Sequence, residues 1–404
     1  MLKSKGRTAR AESAKRQGSG GRKPRPWSRA GVLGAVSAGV IGLGAAVSVP
    51  ASAAPVTAAS GTAAASFKIF NPPSPSGGPS GSPEALTSIY AASPADVWAV
   101  GQPAGDQFEH WNGTRWTGQG LPAGLVTAPG NSASVSFITG TSASNITAVG
   151  TGDINTGATI VAESVAFHFN GTAWSEMTIP ANVELGPVLA FSATNLWSVN
   201  DNGDAEHFNG TTWTTTSLPI VTTQPERDMT SISGSSPSDI WAAGTASNGD
   251  PDDGTAPILE HFNGTSWSNV TVPVSTGLTD VVDISPADAY AVTTRGAILH
   301  WNGTTWTALN ATTQTGTAVT GSAVAALSPA DVWIAGFGTL DNFNGSTWTS
   351  VPVPATTGLT PAGQTLATPD AAAAVGPGTV WFAGNTFTAA GNEGFPYAFG
   401  TSNG

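Results

Sequence analysis

Short apolar runs separated by tight polar turns recur along most of the chain. The clearest unit begins with Leu86-Thr87-Ser88-Ile89-Tyr90-Ala91, turns through Ser93-Pro94-Ala95-Asp96, and continues as Val97-Trp98-Ala99-Val100-Gly101. Two β-prone runs joined in this way predict a hairpin, because Pro is pre-set for the second turn position and Asp or Asn can bond backbone amides. A second hairpin follows in each unit, as in Ile258-Leu259-Glu260-His261-Phe262, Asn263-Gly264-Thr265 and Trp267-Ser268-Asn269-Val270. Its Asn-Gly predicts a type I′ turn, since both residues accept positive φ. Each unit thus holds four strands, A to D, in one antiparallel meander. Helical spacing is absent from the chain beyond residue 53.

The first hairpin turn starts at Ser93, Ser142, Ser192, Ser236, Ser285, Ser328 and Gly376, which gives seven copies 49, 50, 44, 49, 43 and 48 residues apart. Periods of this length mark propeller blades or solenoid turns. The second motif, led by His110, His168, His207, His261, His300 and Asn342, occurs only six times. A linear stack would leave sheet edges exposed, whereas seven four-stranded units can close on themselves. The expectation is therefore an all-β, seven-bladed β-propeller over residues 66–404. The last copy lacks a fourth strand, and Ser66-Phe67-Lys68-Ile69-Phe70-Asn71-Pro72 reads like strand D elsewhere. The N-terminal strand is expected to complete the last blade and latch the ring.

Composition adds a compartment. Ten basic residues fall within the first 29 positions, followed by an uncharged Gly/Ala/Val run from Ala30 to Val49 and then Ala51-Ser52-Ala53. This is the order of a secretory signal, so residues 1–53 read as a signal peptide cleaved after Ala53, and 54–65 as a flexible linker. The rest carries 25 acids against Lys68, Arg115, Arg227 and Arg295, a net charge near −21. Such a surface repels phosphate backbones and anionic headgroups, which excludes nucleic acid and, after cleavage, a membrane as partner. There is no cysteine, hence no disulfide and no lipoprotein anchor. A secreted monomer is expected.

The S-P-x-D-V-W-A-V-G and H-W-N-G-T-x-W elements resemble those of secreted, actinobacterial-type Kelch-like or galactose-oxidase-like repeat proteins. The likeness covers residues 66 to 400 and implies the propeller fold, while propellers host unrelated functions. Galactose oxidase chemistry is not implied, because its copper site needs a Cys-Tyr crosslink. Asn-Gly-Thr-x-Trp also resembles the Asp-box of sialidases, but those clamp a carboxylate with three arginines, and Arg115 here lies in a C–D turn.

Most eye-catching residues then become scaffold. The five histidines hold one repeat position and point apart around a ring, whereas a metal needs convergent ligands. The Asp and Asn of the first turn, Asp96 among them, read as turn chemistry. The thirteen tryptophans beyond residue 53 all fall in the two motifs and read as inter-blade packing. Six of nine N-x-S/T triplets are the second hairpin turn itself. Irregularity is confined to the B–C and D–A connections, notably Thr151 to Ala162, Thr245 to Pro257, Asn385 to Gly394 and Ala123 to Ser132, which share one face. That face supplies the candidate ligand contacts Asp153, Asp201, Asp204, Arg227, Asp228 and Arg295. Within Asn248-Gly249-Asp250-Pro251-Asp252-Asp253-Gly254, the alternating oxygens of Asn248, Asp250, Asp252 and Asp253 suggest a Ca²⁺ loop, although position twelve is Leu259. No motif assigns a nucleophile, base and oxyanion donor. The reading is an extracellular binding module for a glycan or protein on the B–C/D–A face. Its rivals are a glycan-active hydrolase or lyase using acids of blades 2 to 4, and a passive cell-surface component.

Overall fold

A computed structural model describes residues 67–70, 86–101, 107–124, 126, 128–220, 224–248, 255–336, 338–352, 364–376, 379–388 and 396–401. The expected signal segment 1–53 and the expected linker 54–65 lie outside them.

Seven four-stranded antiparallel sheets follow one another along the chain. In blade 1 the order is β2 (Leu86–Ser93), β3 (Asp96–Gly101), β4 (Phe108–Trp111), β5 (Trp116–Gln119). Blade 7 runs β26 (Gln364–Gly376), β27 (Thr379–Thr388), β28 (Pro396–Thr401), and its fourth strand is β1 (Phe67–Phe70). The register Phe67↔Thr401 to Phe70↔Ala398 confirms the expected latch. Closure is complete: β26 packs against β2 as well as against β22 (Ala323–Ser328).

The A strands form the inner ring. Each leaves one edge without a sheet partner, and unpaired backbone groups in a packed interior are costly. Side chains of the neighbouring A strand meet that need. Ile138 N–H donates to Ser88 Oγ at 2.7 Å, Thr87 Oγ1 to Ser136 O at 2.7 Å, and Val324 N–H to Asp280 Oδ2 at 2.8 Å. Asp280 also accepts from Ser231 Oγ at 2.8 Å, so one carboxylate ties together the inner strands of blades 4, 5 and 6.

Further out, tryptophans fill the seams as expected. Trp98 of blade 1 packs on Phe169 and Trp174 of blade 2, Trp241 of blade 4 on Trp301 and Trp306 of blade 5, and Trp381 of blade 7 on Trp111 and Trp116 of blade 1. Blades 2 and 5 are the exceptions. Tyr290 takes the indole's place in blade 5 and packs on His300, while in blade 2 Thr147 stands there, and Phe137, Val183 and Leu185 fill the seam to blade 3 instead.

Two turn readings change. In the A–B turn the serine, not the Asp, takes the backbone amide, as in Ala95 N–H to Ser93 Oγ at 3.2 Å. The Asp or Asn bonds instead the strand-C histidine: His110 Nε2 lies 2.8 Å from Asp96 Oδ1, His207 Nε2 3.0 Å from Asn195 Oδ1, and His261 Nε2 2.7 Å from Asp239 Oδ1. The same histidines stack on the strand-B indoles Trp98, Trp197 and Trp241. Nor is the C–D turn a two-residue type I′ turn. Trp111 pairs with Trp116, which leaves the four residues Asn112 to Arg115. Asn112 Oδ1 closes them by accepting from the amides of Thr114 at 3.0 Å and Arg115 at 3.1 Å, while Gly113 takes φ 88°. A side-chain cap therefore replaces the backbone geometry of the shorter turn.

Two outcomes follow from this packing. Deleting residues 1–70 unpairs β28 and lowers the thermal unfolding midpoint, whereas deleting 1–65 leaves it unchanged. Trp241→Ala empties a seam and costs about 3–5 kcal/mol in denaturant unfolding.

Candidate functional site

The A–B turns are uniform. Ser142 pairs with Asn145, Ser192 with Asn195 and Ser236 with Asp239. Any difference in strand length must therefore emerge on the opposite face, where the B–C and D–A connections lie. In blade 2, β6 (Ser132–Ser142) has 11 residues, and in blade 4, β14 (Glu226–Ser236) also has 11. Between them, β10 (Val188–Ser192) of blade 3 has 5. At about 3.3 Å per residue the taller strands overshoot blade 3 by roughly 20 Å. Blade 3 is a low point on that face between two higher neighbours.

Much of the connection expected at Thr151 to Ala162 is strand. β7 (Asn145–Asn155) and β8 (Ile160–Phe169) run on as a hairpin, with Ser132 paired to Asp153 and Asn155 to Ile160. Gly and Asp are poor strand formers, but pairing to β6 overrides that weak preference. At the tip, Ile160 is 66% exposed, the one exposed large hydrophobic among the described residues. Asp153 is exposed on the same hairpin, with Ser132 Oγ 3.5 Å from its Oδ2.

The low point is built on the B–C turn of blade 3. Asn200 is buried, and its Oδ1 accepts from the amides of Asn202 and Asp204, each at 3.1 Å. Gly203 completes the turn with φ 82°, and an added Cβ there would come within 3.1 Å of Arg227 Nη1. Two neighbours hold the turn in place. Asn200 Nδ2 donates to the Glu184 carbonyl at 3.0 Å and Asn202 Nδ2 to Glu184 Oε2 at 2.6 Å. From blade 4, Met229 N–H donates to Asp201 Oδ1 at 2.9 Å and Arg227 Nη1 to Asn202 O at 3.3 Å.

The structure thus joins Asp201, Asp204, Arg227 and Asp228, four of the candidate contacts. Asp204 accepts from Ser217 Oγ at 2.8 Å. Asp153 stands on the neighbouring blade 2 hairpin. Arg295 is exposed in the B–C turn of blade 5, one blade beyond β14. Sequence reasoning missed Glu184, Asn200 and Asn202, although Asn-Asp-Asn-Gly is itself a turn signal. Asp201 is exposed as a residue, yet its carboxylate turns inward toward buried Met229. Burial, then the charges of Asp228 and Glu184, push its pKa up to about 7 against the opposing Met229 hydrogen bond. Burial also raises Asp228. Of the Ca²⁺ loop, Asp250, Asp252 and Asp253 lie outside the described residues and Asn248 directly follows β15 (Asp239–Ser247). Among the described residues no cluster of three or more His, Asp or Glu could hold a metal, and no helix is long and apolar enough to cross a membrane.

No family model matches the chain, and no curated protein matches it. Solved structures do. YCF48 bound to a D1 peptide matches with TM-score 0.54 at 12% identity, over 84% of this chain and 97% of that one. YCF48 from Cyanidioschyzon merolae matches with TM-score 0.54 at 14% identity, over 84% and 98%. The WD40 β-propeller domain of Doa1 matches with TM-score 0.50 at 10% identity, over 80% and 94%. The shared feature is the propeller fold.

Because the folded-state pKa of Asp201 is raised, its ionisation opposes folding increasingly as pH climbs from the ordinary carboxylate range through 7. Asp201→Asn keeps the Met229 acceptor and removes that penalty. It is expected to unfold at a higher temperature than wild type at pH 8 and at the same temperature near pH 4.

Proposed function

We propose that this protein is a secreted, extracellular binding module whose ligand sits on the B–C/D–A face, over blade 3 and between blades 2 and 4. The observation that carries this reading is the uneven blade height. Four stereotyped turns of a scaffold need no such variation, and in repeat folds the irregular connections commonly form the binding face. On this face lie an exposed Ile160 at the tip of the blade 2 hairpin and, on blades 3 and 4, the acids Asp201, Asp204, Asp228 and Glu184. A basic peptide or protein segment meets both demands, with its aliphatic or aromatic side chains on Ile160 and its Lys or Arg on the acids. That a propeller of the same fold is seen with a peptide is consistent with a protein partner. Export through the segment ending at Ala53, and kinship with the Kelch-like secreted repeats, belong to the same proposal.

The second reading, a glycan-active hydrolase, draws on the neighbouring carboxylates of Asp201 and Asp228, both raised by burial. A carboxyl raised toward neutrality by burial is able to serve as a general acid.

The test is titration of residues 54–404 with fluorescent Lys/Arg-rich, neutral and acidic peptides, beside a glycan array and glycan turnover assays. Basic peptides are expected to bind in a salt-sensitive way, with affinity falling about tenfold or more in Asp201→Asn/Asp228→Asn and in Ile160→Ser. Peptide silence with glycan binding moves the ligand to a sugar, and turnover lost in Asp228→Asn moves the protein to the hydrolases.

A further inference from the structure

The seam between blades 4 and 5 contains a feature absent from the other six. Two residues before each A–B turn, the inner strands carry Ala91, Gly140, Ala190, Gly234, Ala326 and Ala374, but β18 (Leu278–Ser285) carries Asp283. Small residues are needed where the preceding blade presents an aromatic ring. A Cβ on Gly140 would come within 2.6 Å of the Tyr90 ring, and one on Gly234 within 3.0 Å of Phe191. Facing Asp283, blade 4 presents Ser233 and Ser235 instead. Its cross-strand partner is likewise reduced: Ala289 pairs with Asp283 where Val97, Ile146, Leu196, Ile240, Val332 and Val380 occupy the other blades.

The carboxyl fits into a chain of hydrogen bonds that crosses the seam. Asp283 N–H donates to Ser233 Oγ at 2.9 Å, and Ser235 N–H donates to Asp283 Oδ2 at 2.6 Å. Ser235 Oγ donates to Asp239 Oδ2 at 2.7 Å, and Asp239 Oδ1 lies 2.7 Å from His261 Nε2. Both carboxyls are buried, Asp283 completely and Asp239 to within 5%. The two acids meet through Ser235, and Asp283 Oδ1 is buried with no hydrogen-bond partner, so a charge on Asp283 would stand in a dry site beside a second carboxylate.

We propose that a proton on Asp283, buried against Ser233 and Ser235 and linked through Ser235 to Asp239, locks the inner strands of blades 4 and 5, making this seam the pH-sensitive joint of the ring. The two groups part in opposite directions. Burial, reinforced by the charge of Asp239, raises Asp283 to about 8. Burial acts upward on Asp239 too, but the hydrogen bonds from His261 and Ser235 outweigh it and hold Asp239 below its ordinary value. The proton therefore resides on Asp283. A raised folded-state pKa on a carboxyl stabilises at low pH and is lost as pH rises, so the seam weakens from the ordinary carboxylate range upward through about pH 8.

The other charged groups around β18 are few. β16 (Ala256–Phe262) brings Glu260 and His261, β15 brings Asp239, and β19 (Asp288–Thr293) brings Asp288 beside the turn. β18 itself adds Asp280, β14 carries Glu226, Arg227 and Asp228 only at its far end, and β22 has none. No lysine or arginine neutralises the pair within these elements.

The test compares full-length wild type, Asp283→Asn and Asp239→Asn. Thermal unfolding of the wild type is expected to fall by several degrees between pH 6 and pH 9, with the fall clearly smaller in Asp283→Asn. Hydrogen exchange of β14 and β18, corrected for the intrinsic rate, is expected to accelerate over that range more than exchange of β2 and β6. Parallel unfolding profiles for wild type and Asp283→Asn overturn the proposal. If Asp283→Asn does not fold, ¹³C-carboxyl spectra of Asp-labelled wild type decide. A resonance with a midpoint near 8, moving to lower pH in Asp239→Asn, supports a proton on Asp283 held in place beside Asp239, and no such resonance refutes it.

Discussion

A blade of this protein has no core of its own. Each four-stranded sheet is apolar on both faces and buries them only against its two neighbours, so the constraint on which everything rests is that the seventh sheet must meet the first. Trp381 does so by packing on Trp111 and Trp116, and β1 does so by pairing with β28. Repeat proteins in general are stabilised by nearest-neighbour interfaces, and closing the series removes the two weak ends. The latch is covalently distant but short, four residues drawn from the start of the chain to complete the end.

Within that ring the conserved-looking polar residues are structural in a more specific way than turn formation. The Asp or Asn at the head of strand B holds the strand-C histidine, and the histidine lies flat on the strand-B indole. In blades 1, 3 and 4 this arrangement orients the Trp that packs into the next blade. Where the partner is the neutral Asn, as for His168 and His207, burial lowers the histidine pKa, which favours the uncharged ring in the seam. Buried strand-C acids follow the same economy. Glu206, Glu260 and Asp341 accept from Thr215, Asn269 and Ser350 across strand D at 2.8, 2.9 and 2.6 Å, so one oxygen of each carboxyl is engaged inside the wall.

Much of the candidate site was legible in advance because scaffold and exception separate cleanly in a repeat. The positions of Asp201, Asp204, Arg227 and Asp228 in irregular connections sufficed to place them on one face. What was not legible is why they meet. Glu184 enters from a D–A connection and Asn200 from a B–C turn, 16 residues apart, and only packing brings Glu184 O to Asn200 Nδ2. The hairpin over Thr151 to Ala162 was hidden for a related reason, since its Gly and Asp carry little β-propensity and its strand character comes from the partner β6.

Blade count, strand order and the N-terminal latch were determined by the sequence alone, because period, turn chemistry and alternation are local and repeat seven times. The heights of the blades, the four-residue C–D turn and the hydrogen-bond chain from Asp283 through Ser235 to Asp239 across the blade 4–blade 5 seam were decided only by tertiary structure. Each depends on which residues of different repeats come face to face: Asp283 is an ordinary acid in its own strand, and becomes unusual only where Ser235 and Asp239 of the preceding blade surround it.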